Sequence, residues 1–233
     1  MYTKNNIYLN LIMREWEKNF EWLKAVYVNC TLKKSPNISN TSWLIDVSKN
    51  IMQNEWVEID EIRLVDFDVA PGMQPDMKDH GYEDDDWPEL SKKILEADIL
   101  IIWTPIWLWE KSSQAQLLIE RLYSLSWQKN DKWQYIYYGK VGWCIVTGNE
   151  DGVKHCGMGI LYSLQHIWYS IPPQADCGWI GEVGPGPSYM DEESDAKNND
   201  FTNKNATFMT YNLMHLAQML KRNNGYPKYG NSW

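Results

Sequence analysis

The residues best equipped for chemistry sit between an apolar run, Ala25-Val26-Tyr27-Val28, and a helical pattern that begins near Trp43. Thr31, Ser35, Ser39, Thr41 and Ser42 offer hydroxyls there, Asn40 an amide, and Lys33 and Lys34 positive charge. Hydroxyls and amides at the start of a helix face backbone N–H groups that lack intrahelical partners and carry partial positive charge, so the spacing favours an anion. Ser39, Asn40 or Thr41 can equally be the cap of that helix, because these are the residue types a cap prefers.

The elements that must position this loop follow from the pattern around it. Residues 25–28 are β-branched or aromatic for the most part and stop at Asn29, while Pro36 and the Asn/Ser cluster interrupt any extended run. Trp43, Leu44, Val47, Ile51 and Met52 then recur at helical spacing. The unit is strand, loop, helix. It lacks the glycines of G-x-x-x-x-G-K-[ST] and of G-x-G-x-x-G, so ATP and dinucleotide pyrophosphate fit it poorly. Side-chain hydroxyls with few glycines suit a single terminal phosphate, such as that of FMN, better than a pyrophosphate the backbone must approach closely.

A second candidate set follows the most apolar run in the chain, Ala97 to Trp103, which reads as a central parallel strand covered on both faces. It leads into Thr104-Pro105-Ile106-Trp107-Leu108-Trp109, then Ser112-Ser113 and a helix over Gln114 to Leu125. In open α/β sheets ligands bind beyond the carboxyl ends of the strands, and Trp107 and Trp109 there would stack on a flat ring. The competing role is core or subunit interface, in a chain with 14 tryptophans. A third set, Gly148-Asn149-Glu150-Asp151-Gly152, follows a strand over Lys140 to Thr147 and precedes a helix over Val153 to Trp168. Its glycines let backbone amides face a ligand, and Asn149 tolerates unusual dihedrals.

The remaining chain fills in an α/β alternation. Ile7, Leu11, Ile12, Trp16, Phe20 and Leu23 make a one-sided N-terminal helix that packs on the domain or on a partner subunit. Val57 to Val65 reads as a strand near a sheet edge, and Val69 to Trp87 as an irregular loop whose length marks it as functional or mobile. Pro88 fits the first turn of a short helix ending near Ala97. Pro172-Pro173 leads to a last strand over Ala175 to Ile180, and Tyr211 to Lys221 reads as a final helix. Five such alternations predict a doubly wound parallel sheet.

Composition excludes several classes. The net charge of -9 argues against a nucleic-acid partner. The acidic runs Glu83 to Asp86 and Asp191 to Asp200 read as solvated loops, without EF-hand spacing. Cys30, Cys144, Cys156 and Cys177 show no paired zinc spacing and are expected to be reduced. His80 near Asp84 makes a poor metal cluster, and His155 beside Cys156 is expected at a polar rim, because helix neighbours point apart. No signal peptide or bilayer-spanning stretch is visible, so the sequence predicts a cytoplasmic protein with no membrane partner.

Taken in order, Asn29-Cys30-Thr31-Leu32-Lys33 with Ser39-Asn40-Thr41, then Thr104-Pro105-Ile106-Trp107 before a helix ending Ile119-Glu120-Arg121-Leu122, then Gly139-Lys140-Val141 and Thr147-Gly148, resemble the flavodoxin-like NADPH-dependent FMN reductase family. The resemblance covers roughly Lys24 to Ile180. It implies a five-stranded sheet of order 2-1-3-4-5 with helices on both faces, an N-terminal helical extension over 1–23, and a C-terminal extension over 181–233 packed on the same domain. It further implies that Thr31, Lys33, Ser39, Asn40 and Thr41 hold the FMN phosphate. Pro105, Ile106, Trp107 and Leu108 would line the isoalloxazine from one side, and Thr147, Gly148, Asn149 and Gly152 from the other, with the Gly181 to Pro187 run placed beside the ring.

The implied activity is hydride transfer from NAD(P)H through bound FMN to a small acceptor such as a quinone or free flavin, in a homo-oligomer, dimer or tetramer. The chemistry would be flavin-borne, with no obligatory acid or base and no metal. A non-enzymatic flavodoxin-type electron carrier is the alternative, and a flavin-free tryptophan-rich binding protein a more distant one. The chain departs from the family in having Cys30-Thr31-Leu32-Lys33 where Gly-Ser-Pro-Arg is usual. Lys33 therefore brings a point charge without the bidentate fork of arginine. It also carries Glu150 and Asp151 where glycine is common.

Overall fold

The computed structural model describes residues 20–40, 42–149, 151–174, 176–182, 184 and 186–232. The N-terminal helix expected before Leu23 lies almost wholly outside them. Its last two apolar positions, Phe20 and Leu23, are described and buried.

Five strands run parallel: β1 (Lys24–Asn29), β2 (Glu58–Arg63), β3 (Ile99–Trp107), β5 (Val141–Gly148) and β6 (Asp176–Ile180). Their order is β2-β1-β3-β5-β6. Without the two-residue β4 (Glu110–Lys111), this is the expected 2-1-3-4-5 arrangement. β4 is the addition: it pairs antiparallel with the end of β3. β3 does not stop at Thr104 as the sequence suggests but continues through Pro105 to Trp107, and β3 and β4 close a two-residue hairpin over Leu108 and Trp109. Both turn residues have positive φ, 50° and 70°, as the tight turns that match strand twist require.

Side-chain alternation divides the core. Val26, Val28, Leu100, Ile102, Cys144 and Val146 face one side, where they meet α2 (Trp87–Glu96), α3 (Ser113–Tyr123) and α4 (Val153–His166). Ala25, Tyr27, Ile99, Ile101, Trp103, Trp143 and Ile145 face the other, against α1 (Ser42–Asn54) and α5 (Asp200–Arg222). A strand has period two, so covering both faces requires the interior residues of β1, β3 and β5 to be apolar or small, as they are between the strand ends. At the edge, β2 buries only Ile62.

α5 is 23 residues long and begins eleven residues before the expected Tyr211. Its first half turns small and polar residues inward. The Thr210 hydroxyl donates to Ser48 Oγ on α1 at 2.8 Å, and Ser48 Oγ lies 2.8 Å from Tyr27 Oη on β1. This buried hydroxyl chain ties α5 and α1 to the sheet, and burial pushes the Tyr27 phenol above its ordinary range.

The acidic run before α2 is not a solvated loop throughout. Asp85 is buried and takes Arg121 Nη2 of α3 at 2.7 Å, both side chains fully inaccessible. It also accepts the N–H groups of Ala70 (3.3 Å), Met77 (2.9 Å) and Trp87 (3.2 Å). One carboxylate thus gathers the long segment between β2 and α2, and it can do so because a charged acceptor holds several donors at once. All four cysteines are buried.

Candidate ligand cleft at the carboxyl ends of the strands

β1 ends at Asn29, whose Oδ1 accepts the Thr31 N–H at 3.0 Å and so bends the chain out of the sheet. Thr31 Oγ1 accepts the Lys33 N–H at 3.3 Å, a local turn of the kind threonine favours. The Cys30 carbonyl accepts the Ser112 hydroxyl at 2.6 Å, and the Ser112 N–H donates to Thr104 Oγ1 at 2.9 Å. The loop after β1 is therefore fixed to the end of β3 and the start of α3.

Two groups on the β2 side shape its outer half. Asp66 accepts the Ser35 N–H at 2.9 Å and the Ser35 hydroxyl at 2.5 Å, and these bonds hold its carboxyl below the usual carboxylate range. Arg63 donates to the Asn37 carbonyl at 2.7 Å. The inner half closes on Ser39, whose carbonyl accepts both the N–H and the hydroxyl of Ser42. Ser39 itself is 1% exposed, and its hydroxyl has no hydrogen-bond partner among the described residues. A buried hydroxyl without a partner is costly, and a ligand oxygen would relieve it.

Beyond β3 and β5 lies a cavity of about 210 Å³. It is lined by Pro105, Ile106 and Trp107 at the end of β3 and, on the neighbouring strand, by Thr147, Gly148 and Asn149 at the end of β5, with Asn40 from the loop. Asn40 also lines an open groove of about 680 Å³ with Lys33, Pro36, Asn37 and Ile38. The two spaces share that residue, the inner one at the strand ends and the outer one bordered by Lys33.

Asn40, Pro105, Ile106, Trp107, Thr147, Gly148 and Asn149 come together as the sequence implied, and Lys33 borders the adjoining groove. Ser39 is buried in the loop itself, and Thr31 is buried with its hydroxyl accepting within the loop. Two expected lining residues lie elsewhere. Leu108 is at the hairpin tip, 88% exposed. Gly152 lies under Trp109, where an added Cβ would meet the indole Cδ1 at 2.9 Å. Thr41 is outside the described residues. Gly148 serves packing as well as access: a Cβ there would meet Ile106 Cβ at 2.8 Å.

Sequence reasoning missed the third wall. Trp179 on β6 and Ser188 and Tyr189 in the extension also line the 210 Å³ cavity. Trp179 and Tyr189 pack edge to face, ring centroids 5.3 Å apart. Asn149 Nδ2 donates to the Gly186 carbonyl at 2.5 Å, and the Gly181 N–H donates to the Gly148 carbonyl at 2.8 Å, so the Gly/Pro-rich run is tied to the β5 loop. The signal for this wall was the aromatic Tyr189 just after a turn-rich run. A larger space of about 940 Å³ opens beyond Trp109 at the β6 edge and shares Trp179. It lies away from the loop with the buried free hydroxyl.

The family model for NADPH-dependent FMN reductase matches residues 23–171. The chain belongs to this family. An 8-demethyl-8-aminoriboflavin-5'-phosphate synthase from Streptomyces davaonensis is 37% identical over 204 residues, covering 85% of this chain and 79% of that one. A crystal structure of RosB with the bound intermediate 8-demethyl-8-formylriboflavin-5'-phosphate superposes with a TM-score of 0.79 at 37% identity, over 86% of this chain and 81% of that one. A Mycobacterium bovis protein named as the divalent metal cation transporter MntH is 55% identical over 202 residues. This chain covers 30% of that relative's length. Among the described residues no helix is long and apolar enough to cross a membrane, and no group of three or more His, Cys, Asp or Glu side chains could hold a metal ion.

Membership in this family of flavin-linked oxidoreductases agrees with the chemistry of the cleft. The Lys33 ammonium and the buried Ser39 hydroxyl suit a phosphate dianion, and the indole of Trp107 fits a planar ring.

Proposed function

We propose that the protein is an FMN-dependent oxidoreductase that passes hydride from NAD(P)H to a small-molecule acceptor such as a quinone or another flavin. The observation that carries this reading is Asn40, which lines both the cavity at the ends of β3 and β5 and the groove bearing Lys33 and follows Ser39 with its buried hydroxyl in the chain. The loop residues Thr31 to Ser39 would bind the phosphate of the flavin. Pro105 to Trp107 and Thr147 to Asn149 would hold the ring, and Trp179 and Tyr189 would exclude water from its inner edge. When bound, FMN supplies the hydride and electron transfer; the protein supplies orientation and a dry, shaped wall.

In this reading residues 24–180 form the flavin-binding domain, with 1–23 as an N-terminal extension and 181–233 as a C-terminal extension packed on it. The working unit is a homo-oligomer, dimer or tetramer, in the cytoplasm. A second reading has one specific support. The 37% identity to an enzyme named as a synthase of a modified riboflavin phosphate favours a flavin held as substrate, with its ring altered in place.

One experiment separates the two. The protein is loaded with FMN, then incubated with NADH or NADPH and menadione, and the flavin released afterwards is weighed by mass spectrometry. Catalytic NAD(P)H oxidation with FMN recovered unchanged supports the reductase. A changed flavin mass without multiple turnovers of NAD(P)H supports the second reading and overturns the first.

A further inference from the structure

The hairpin that carries Trp107 is held from outside the cleft by the first turn of α4. Glu110 is the cross-strand partner of Trp107. Its Oε1 lies 2.7 Å from His155 Nε2 on α4. Next to it, the Cys156 thiol points to the Trp109 carbonyl at 3.4 Å. Gly152, at φ 131°, leaves room for the Trp109 indole and carbonyl to lie against the helix start. Three consecutive contacts from one helical turn therefore fall on a hairpin tip whose two turn residues, Leu108 and Trp109, both adopt positive φ without being glycine. Such a turn is unfavourable on its own and persists only where its surroundings fix it.

We propose that Gly152 and His155 are positioning residues for the flavin site: they clamp the β3–β4 hairpin and so place Trp107 against the ring. This rests on the flavin reading of the cleft. It gives Gly152 a role other than lining the ring, and gives His155 a task that its exposed position does not reveal. The charged groups around the His155–Glu110 contact are Lys111, whose Nζ is 3.8 Å from Glu110 Oε2, and Asp151 and Lys154 at the start of α4. Glu110 is held below the ordinary carboxylate range, first by its hydrogen bond to His155, so it stays an acceptor throughout neutral pH.

The test uses His155→Ala, His155→Gln and Gly152→Ala in the full chain, with two readouts. The first is amide hydrogen exchange over residues 104–113 in flavin-free protein. The second is FMN affinity by fluorescence titration. Because the His155–Glu110 contact is about half exposed, His155→Ala is expected to leave thermal stability unchanged, to speed exchange in the hairpin, and to weaken FMN by about three- to fivefold. His155→Gln, which keeps a donor, should restore both. Gly152→Ala should weaken FMN further, since its Cβ would displace Trp109. Unchanged exchange in His155→Ala would overturn the clamp, and faster exchange with unchanged affinity would overturn its role in placing Trp107. Wild-type protein that takes up no FMN would overturn the flavin reading instead, and the exchange arm, which needs no flavin, then decides the clamp alone.

Discussion

Replacing Asp85 by asparagine is expected to be among the most damaging single substitutions outside the apolar core. Arg121 and Asp85 are both fully inaccessible and 2.7 Å apart. Breaking a buried pair from one side leaves the other charge without compensation, which costs about 3–5 kcal/mol. The two sides are not equivalent. Without Arg121 the carboxylate would still accept three backbone N–H groups. Without the carboxylate, Arg121 keeps two long hydrogen bonds, to the Gly72 and Pro75 carbonyls at 3.4 and 3.3 Å, and the Trp87 ring 5.6 Å away, and its Nε has no partner among the described residues. Asp85→Asn should therefore be worse than Arg121→Met. For 233 residues, an unfolding entropy of about 2.1 cal/mol/K per residue makes 3–5 kcal/mol a fall in Tm of about 6–10 °C. Thermal unfolding followed by circular dichroism reads this directly, and the double variant Asp85→Asn/Arg121→Met should recover part of the loss. A shift below about 2 °C for Asp85→Asn, or a larger loss for Arg121→Met, would refute the reasoning.

Two further predictions concern single buried groups. Ser39→Ala removes a buried hydroxyl without a protein partner, so apo stability should hold or rise by about 1 kcal/mol while FMN binding weakens by roughly tenfold. Urea denaturation and fluorescence titration on the same variant check both, and a loss of stability without loss of affinity would contradict it. Burial lowers the Lys140 ammonium to about 8, and its amine donates to the Leu95 and Ala97 carbonyls. A folded-state pKa below the unfolded one means the unfolded chain binds more protons between the two, so stability rises with pH across that window. Between pH 8 and 9.5 the gain should be about 1.5 kcal/mol. Wild type should show this rise relative to Lys140→Met in urea denaturation, and parallel profiles would remove Lys140 as its cause.

The fold was legible wherever burial on two faces forced an unbroken apolar run, as in β1, β3 and β5. It was less legible where the core is made of small or polar side chains. The first half of α5 faces inward with Thr202, Ala206 and Thr210, which show no helical stripe of large apolar residues, so eleven residues of it went unseen. Pro105 suggested a break, yet β3 runs on through it into a hairpin whose partner, Glu110–Lys111, is too short to read from pattern. Asp85 looked like one of four solvated acids because its counter-ion, Arg121, lies 36 residues away. The candidate site divided along the same line. The family resemblance named Asn40, Pro105 to Trp107 and Thr147 to Asn149, and they line one cavity because they fall at or just beyond strand ends. Trp179 and Tyr189 were missed because they reach the cleft through a segment with no period of its own.

The central claim is that the cleft recognises a flavin through its 5'-phosphate. Parallel titration of wild-type protein with FMN and with riboflavin tests it most directly, because the two differ only in that group. Two charge-assisted hydrogen bonds at about 1.5–3 kcal/mol each predict FMN binding at least roughly a hundredfold tighter than riboflavin, with Ser39→Ala and Lys33→Ala narrowing the gap. Equal affinity for the two, or no measurable binding of either, would contradict it.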